Sequence, residues 1–269
     1  MSKDSVFAAS DGCPIAYSLH AAPRADAPRF ALIHSLALDR SVWDGVVEKL
    51  GGFAETLTLD CRGHGRSGRP EMDFTSELFA RDLSEILDHV GWDGAFVAGC
   101  SMGGCVAQAF AGLYPKRVKG LALIDTTAWY GAEAPKQFRE RAAAAKAKGM
   151  GGLIDFQVTR WFSDRFRSEH PDRVKQATDV FLANDFHCYA ASCALLGDAD
   201  LRHYASVFKM PVAIIVGEED YATPVAMAKA LHESIPQSTL RVIESGRHLT
   251  PIECPDELAR ELIALAERR

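Results

Sequence analysis

Apolar positions along the chain switch repeatedly between two periods. From Val6 to Leu19, two short apolar runs flank Asp11-Gly12, a pair that tolerates the positive φ angles of a tight turn, and they predict a β-hairpin. Phe30 to His34 and Glu55 to Asp60 read as buried strands, with a short helix over 41–50 between them that takes Ser41 as its cap. Phe79, Leu83, Ile86, Leu87 and Val90 recur at helical spacing, and Gly94 to Gly99 follows as a strand of small and branched residues. Met102 to Tyr114 is helical up to Pro115, and Val118 to Asp125 is another apolar strand. Strands that are apolar throughout and alternate with amphipathic helices predict a parallel sheet covered on both faces.

The pattern changes between Trp129 and about Leu201, where Ala, Lys, Arg and aromatics are common and no β run stands out. Gln137 to Lys148, ending at Gly149, and then Arg173 to Ala183 and Cys188 to Leu196 have helical spacing, so the segment reads as an inserted helical cap. Alternation resumes with Val212 to Val216 (strand), Pro224 to Ile235 (helix), Thr239 to Glu244 (strand) and Pro255 to Glu267 (helix). The expected division is a core of 1–128 and 202–269 with a cap of 129–201.

Composition narrows the function. Of 269 residues, 48% are apolar and 25% charged, which excludes a disordered chain. Thirty Lys and Arg against 36 Asp and Glu give a net charge of −6, so there is no basic surplus for nucleic acid or an anionic membrane. The apolar runs fall short of the roughly 20 residues of a membrane span. The polar N-terminus lacks a signal-peptide run, and the seven cysteines form no C-x-x-C unit or disulfide framework, so a cytoplasmic protein is expected. His187, Cys188, Cys193 and His203 fit no usual zinc spacing, and neither a metal nor another cofactor is expected.

Gly99-Cys100-Ser101-Met102-Gly103 matches G-x-S-x-G, with an apolar strand before it and a helix after it. Small residues two positions either side of Ser101 permit a sharp turn that projects its Oγ, while the helix N-terminus supplies a free N–H. A serine hydroxyl is a poor nucleophile without a base, and the base needs an orienting acid. Among the histidines after Ser101, His248 stands between the last strand and the last helix, where open α/β sheets build their sites. The acid is sought in Glu218-Glu219-Asp220, after the Val212 to Val216 strand, with Asp220 preferred and Glu219 and Asp125 as alternatives. Backbone N–H groups of Met102 and Leu36, the latter in His34-Ser35-Leu36-Ala37-Leu38, are candidate oxyanion donors. His64 reads as a structural residue that satisfies loop backbone groups.

His34-Ser35-Leu36, Trp43, the segment Asp60 to Ser67, Gly99 to Gly104, Gly217 to Asp220 and Gly246-Arg247-His248 together resemble the α/β-hydrolase superfamily over essentially the whole chain. Ser35-Leu36 followed by Asp39 and Trp43, Arg160-Trp161-Phe162, and Asp198 to Arg202 make it most similar to the 3-oxoadipate enol-lactonases. It departs from their pattern at His34 (usually Asn), at Ala37 (usually Gly), in a loop one residue shorter after Asp220, and near Phe138, where a tryptophan is replaced. The resemblance implies an α/β-hydrolase fold, with a mostly parallel eight-stranded sheet, helices on both faces and a helical cap insertion. It also implies a serine hydrolase of a small-molecule carboxylic ester or lactone that works through Ser101, His248 and Asp220, with Trp129, Phe138, Arg160 and Trp161 as pocket candidates. A homo-oligomer is compatible with this reading. Dehalogenases and epoxide hydrolases of this fold use an Asp nucleophile and are excluded by Ser101. The remaining alternatives are a carbon–carbon bond hydrolase, whose usual H-G-x-G-P-G loop is missing here, and a slow-turnover ligand sensor.

Overall fold

The strands are β1 (Ser2–Ala8), β2 (Pro14–His20), β3 (Arg29–Ile33), β4 (Glu55–Leu59), β5 (Ala95–Cys100), β6 (Val118–Ile124), β7 (Val212–Gly217) and β8 (Ser238–Ile243). They form one eight-stranded sheet in the order β1-β2-β4-β3-β5-β6-β7-β8, in a computed structural model that describes residues 2–268. β2 pairs antiparallel with β1 and β4, and every other neighbouring pair is parallel. The opening hairpin turns at Gly12 (φ 84°), where the Asp11 carboxylate accepts the Cys13 N–H at 3.0 Å. β5 and β7 are buried at every position because helices cover both faces, whereas the edge strand β8 exposes Thr239 and Arg241.

The helices are α1 (Asp44–Leu50), α2 (Ser76–His89), α3 (Met102–Leu113), α4 (Ala134–Lys148), α5 (Ile154–Trp161), α6 (Asp164–Glu169), α7 (Pro171–Leu182), α8 (Phe186–Asp198), α9 (Val225–Ser234), α10 (Thr250–Glu253) and α11 (Pro255–Glu267). α2 packs on α3, and α1 on α11. In α2 the apolar stripe Phe79, Leu83, Ile86 and Leu87 is buried, and Thr75 caps the helix by accepting the Leu78 N–H at 3.0 Å. The helix after β3 differs from the sequence expectation. Its first turn is 3₁₀ over Arg40–Trp43, and the cap is Asp39, whose extended backbone lets the carboxylate accept the Ser41 N–H, while the Ser41 hydroxyl donates to that same carboxylate.

Between β6 and β7 the chain is helical, with α4 to α8 where the sequence indicated three helices. The pieces not anticipated, α5 and α6, are eight and six residues long, too short to show a stable period. The ends of this segment meet at an isolated bridge between Trp129 and Asp200, reinforced by the Leu201 N–H donating to Ala128 O at 2.9 Å. Trp161, Phe162, Phe166, Phe181 and Tyr189 bury one another, with neighbouring ring centroids 5.1–6.2 Å apart. The segment docks on loops at the carboxyl edge of the sheet. Asn184 Nδ2 donates to Ala37 O at 2.8 Å, the Leu249 N–H to Trp161 O at 3.1 Å, and the Arg247 guanidinium to Thr159 O and Phe162 O at 2.9 and 3.0 Å. Among the described residues no helix is long and apolar enough to cross a membrane.

Candidate active site

Strand β5 ends at Cys100 and α3 begins at Met102, so Ser101 alone reverses the chain, at φ 55° and ψ −115°. A residue with a Cβ is strained there, by about 1–3 kcal/mol, and persists only where its surroundings hold it. Here the Ser101 N–H donates to Ile124 O at 2.9 Å, and Thr126 Oγ1 donates to Ser101 O at 2.8 Å. Two glycines of the motif are required by close approach: a Cβ on Gly99 would stand 2.0 Å from Gly103 O, and one on Gly103 would stand 2.2 Å from Ile33 O.

Three side chains from separate loops then stand in series. His248 Nε2 lies 3.0 Å from Ser101 Oγ, and His248 Nδ1 lies 2.8 Å from Asp220 Oδ2. Asp220 Oδ1 accepts the N–H groups of Ala222 and Thr223 at 2.7 and 2.9 Å, and Oδ2 also accepts Thr223 Oγ1–H at 2.8 Å. Burial alone would raise the Asp220 pKa, but the charge and hydrogen bond of His248 and the Thr223 donors outweigh it and hold the carboxyl below its ordinary range. An ionised Asp220 keeps the imidazole proton on Nδ1 and turns the Nε2 lone pair toward Ser101. The other two acid candidates lie elsewhere. Asp125 accepts from the Gly217 N–H, the Thr250 N–H and Thr250 Oγ1, and burial and the Asp220 charge push its pKa up. Glu219 pairs with Arg247 at 2.8 Å, half-exposed.

The loop after β3 is set by a buried histidine. The Cys61 N–H must donate to His34 Nε2 at 2.9 Å, so the ring proton sits on Nδ1 and donates to Ser35 O at 2.7 Å. Burial lowers the His34 pKa, which preserves that neutral tautomer. The Leu38 N–H closes the turn on Ser35 O, and Ala37 occupies a left-handed conformation, φ 57°, that favours glycine. Ser35 and Leu36 thereby line the same cavity as Ser101, while Met102, as the first residue of α3, has an N–H without an intrahelical partner. His64 is buried, contacts His34 edge-on and donates through Nδ1 to Arg62 O at 3.0 Å, and burial pushes its pKa down to about 3.

The cavity over Ser101 and His248 is narrow, with about 30 Å³ open to a water-sized group. Its upper wall comes from Phe138 and Arg141 on α4, Gln157, Arg160 and Trp161 on α5, and Leu196 on α8. Of the four pocket candidates, Phe138, Arg160 and Trp161 line this cavity, and Trp129 stands outside it. It sits on the surface under the Arg202 guanidinium, 4.1 Å from its ring centroid, and the next residue, Tyr130, faces the cavity, since successive side chains of an extended segment point opposite ways. Tyr130 shares that lining with Ser101. Arg141 Nε donates to Tyr189 Oη at 2.8 Å, and Arg160 lies over the Phe156 and Tyr221 rings. Burial and the neighbouring Arg141 charge lower the Arg160 pKa. Gln157 and Tyr130 were not singled out in the sequence. The signal for Gln157 was its spacing, since positions 157, 160 and 161 fall on one helical face. Among the described residues no group of three or more His, Cys, Asp or Glu side chains is arranged to hold a metal ion.

A family model for the alpha/beta hydrolase fold matches residues 28–255, and the chain belongs to that family. It is similar to 3-oxoadipate enol-lactonase 2 of Acinetobacter baylyi, 29% identical over 245 residues that span 91% of each protein. It is also similar to the pimeloyl-[acyl-carrier protein] methyl ester esterase of Aliivibrio salmonicida, 28% identical across 86% of this chain and 89% of that one. In three dimensions it matches the enol-lactonase from Burkholderia xenovorans with a TM-score of 0.92 at 29% identity, over 98% of this chain and 100% of that one. A thermophilic esterase from Thermogutta terrifontis matches with a TM-score of 0.89 at 26% identity, over 97% of each chain.

Proposed function

We propose that the protein is a cofactor-independent serine hydrolase of carboxylic esters or lactones, with residues 129–201 as a cap over its pocket. The observation that carries this reading is the unbroken series from Ser101 Oγ through His248 to Asp220, at 3.0 and 2.8 Å, opening on a walled cavity. Ser101 Oγ attacks the acyl carbon as its proton passes to His248 Nε2, while Asp220 stabilises the imidazolium. The Leu36 and Met102 N–H groups receive the negative charge of the tetrahedral intermediate. His248 then protonates the leaving oxygen, which departs from an ester and stays tethered to the acyl chain of a lactone. Water, activated by the same imidazole, releases the acid. The relatives named as enol-lactonases and ester esterases support both substrate types. Of the seven free thiols, six are buried, which fits a cytoplasmic setting.

The test is turnover of p-nitrophenyl butyrate and a set of γ- and δ-lactones by wild type and Ser101→Ala. Turnover that vanishes with Ser101 is expected. A variant that keeps more than a few per cent of the rate on every substrate refutes Ser101 as nucleophile, and ligand-induced thermal stabilisation without wild-type turnover favours a sensor.

A further inference from the structure

The space left free over Ser101 and His248, about 30 Å³, holds two waters at ~10–15 Å³ each, far less than an ester or lactone with its hydrocarbon part. A substrate whose carbonyl reaches Ser101 must therefore extend past the side chains that wall this space. Between α4 and α5 lies a second cleft, with about 310 Å³ open to a water-sized group. One side is a face of α4, where Gln137, Arg141 and Ala144 recur at helical spacing beside Phe138, and the other is Leu153, Phe156 and Arg160. Phe138, Arg141 and Arg160 line both spaces, whereas the clefts against α7 and α8 share no lining residue with the site. Of the three shared side chains, Phe138 packs edge-on against Tyr130 at 5.3 Å, and Arg141 donates its Nε–H to Tyr189 Oη at 2.8 Å. Arg160 is the freest, a flexible stem whose Cζ rests 5.0 and 5.8 Å from the ring centroids of Phe156 and Tyr221, both half-exposed.

We propose that the cleft between α4 and α5 is an outer subsite that binds the hydrocarbon end of the substrate while its carbonyl lies at Ser101, the chain passing beside the Arg160 side chain. This rests on the ester or lactone hydrolase reading. The occupant is an uncharged alkyl chain, because Phe138, Ala144, Leu153 and Phe156 offer no hydrogen-bonding side chain, and an arginine stem adds apolar surface beneath its charged head. Phe156, 51% exposed, is a large apolar side chain that such a chain would cover. Each methylene buried there should raise kcat/KM by about fourfold.

The experiment measures kcat/KM by pH-stat for wild type, Ala144→Trp and Gln137→Trp on two ester series. Methyl acetate, butanoate, hexanoate and octanoate lengthen the acyl side, and butyl, hexyl and octyl acetate lengthen the alcohol side. Both indoles would fill the cleft from α4 positions that do not line the space over Ser101, and Gln137 is exposed, so its replacement leaves a folded protein even where Ala144→Trp does not. Wild type should climb by about fourfold per methylene in at least one series once the chain passes Arg160, and the series that climbs identifies the end of the substrate that the cleft takes. The variants should hold methyl acetate within about twofold and lose about tenfold or more on the longest ester of that series. A wild-type rate independent of length in both series overturns the proposal, as does a climb that survives in the folded variants or a loss equal on short and long esters. If wild type hydrolyses none of them, the hydrolase reading fails. Saturation-transfer NMR of octyl acetate and methyl octanoate with the Ser101→Ala protein then decides the subsite alone: transfer to the chain methylenes that Gln137→Trp abolishes upholds it, and transfer that is absent or unchanged overturns it.

Discussion

Replacing Asp220 by Asn tests the proposed relay at the point where three carboxylates compete for the role. Asp220 Oδ1 accepts two backbone N–H groups, from Ala222 and Thr223 at 2.7 and 2.9 Å, and Oδ2 faces His248 Nδ1 at 2.8 Å. An Asn oxygen must take the Oδ1 position. Turning the amide over would set its NH₂ against two N–H donors, at a cost of about 1–3 kcal/mol for each lost bond. The NH₂ is thus locked where it donates to His248 Nδ1, and the imidazole proton moves to Nε2. In that tautomer the ring cannot take the Ser101 proton, and kcat should fall by about 10⁴, equivalent to about 5.5 kcal/mol at 1.36 kcal/mol per decade. Asp125→Asn behaves differently, because its carboxylate accepts from Gly217 and from Thr250 and does not reach His248. Either amide orientation there places NH₂ opposite a backbone N–H, so the loss appears as about 1–3 kcal/mol of stability, with kcat within about tenfold of wild type. Glu219→Gln, at a half-exposed pair with Arg247, should change kcat little. The assay is steady-state kcat on p-nitrophenyl butyrate with urea unfolding of each variant. The reasoning fails if Asp220→Asn keeps a tenth of wild-type kcat, or if Asp125→Asn collapses as deeply.

Other perturbations probe the same architecture. Ser101→Gly should abolish turnover as Ser101→Ala does, yet be about 1 kcal/mol more stable than the Ala variant, because φ 55° costs glycine nothing; equal melting temperatures would show an unstrained turn. With the His64 pKa about 3 in the folded state and about 6.5 unfolded, only the unfolded chain takes up that proton as pH falls below 6.5. Stability is therefore lost toward acid by up to about 1.4 kcal/mol per pH unit, and His64→Gln should flatten the pH dependence of urea-unfolding stability between pH 5.5 and about 4.5 by about one proton; an unaltered slope counts against a neutral buried ring. Arg160→Ala should raise KM for an anionic ester about tenfold more than for its neutral methyl ester, since that guanidinium lines the cavity; equal losses on both would leave recognition to apolar shape.

The alternation of strands and helices, the helical run between Trp129 and Leu201, and the sharp turn at Ser101 are all legible in one dimension, because each depends on neighbours within a few residues. The chain order of Ser101, Asp220 and His248 was legible too, since parallel strands bring their carboxyl ends to one edge. Short pieces were not: α5 and α6 have too few turns to show a period, and the capping role of Asp39 depends on its extended backbone rather than on its residue type. Only the tertiary structure separated Asp220 from Asp125 and Glu219, because all three follow strands at the same edge and the distance to His248 distinguishes them. It also decided that Tyr130 and not Trp129 faces the cavity, and that Gln157 belongs to its wall. Helical and extended periods tell which residues share a face, but the neighbour that face meets is set by how α4, α5 and α8 dock on the sheet, through contacts between residues far apart in the chain such as Asn184 with Ala37 and Arg247 with Phe162.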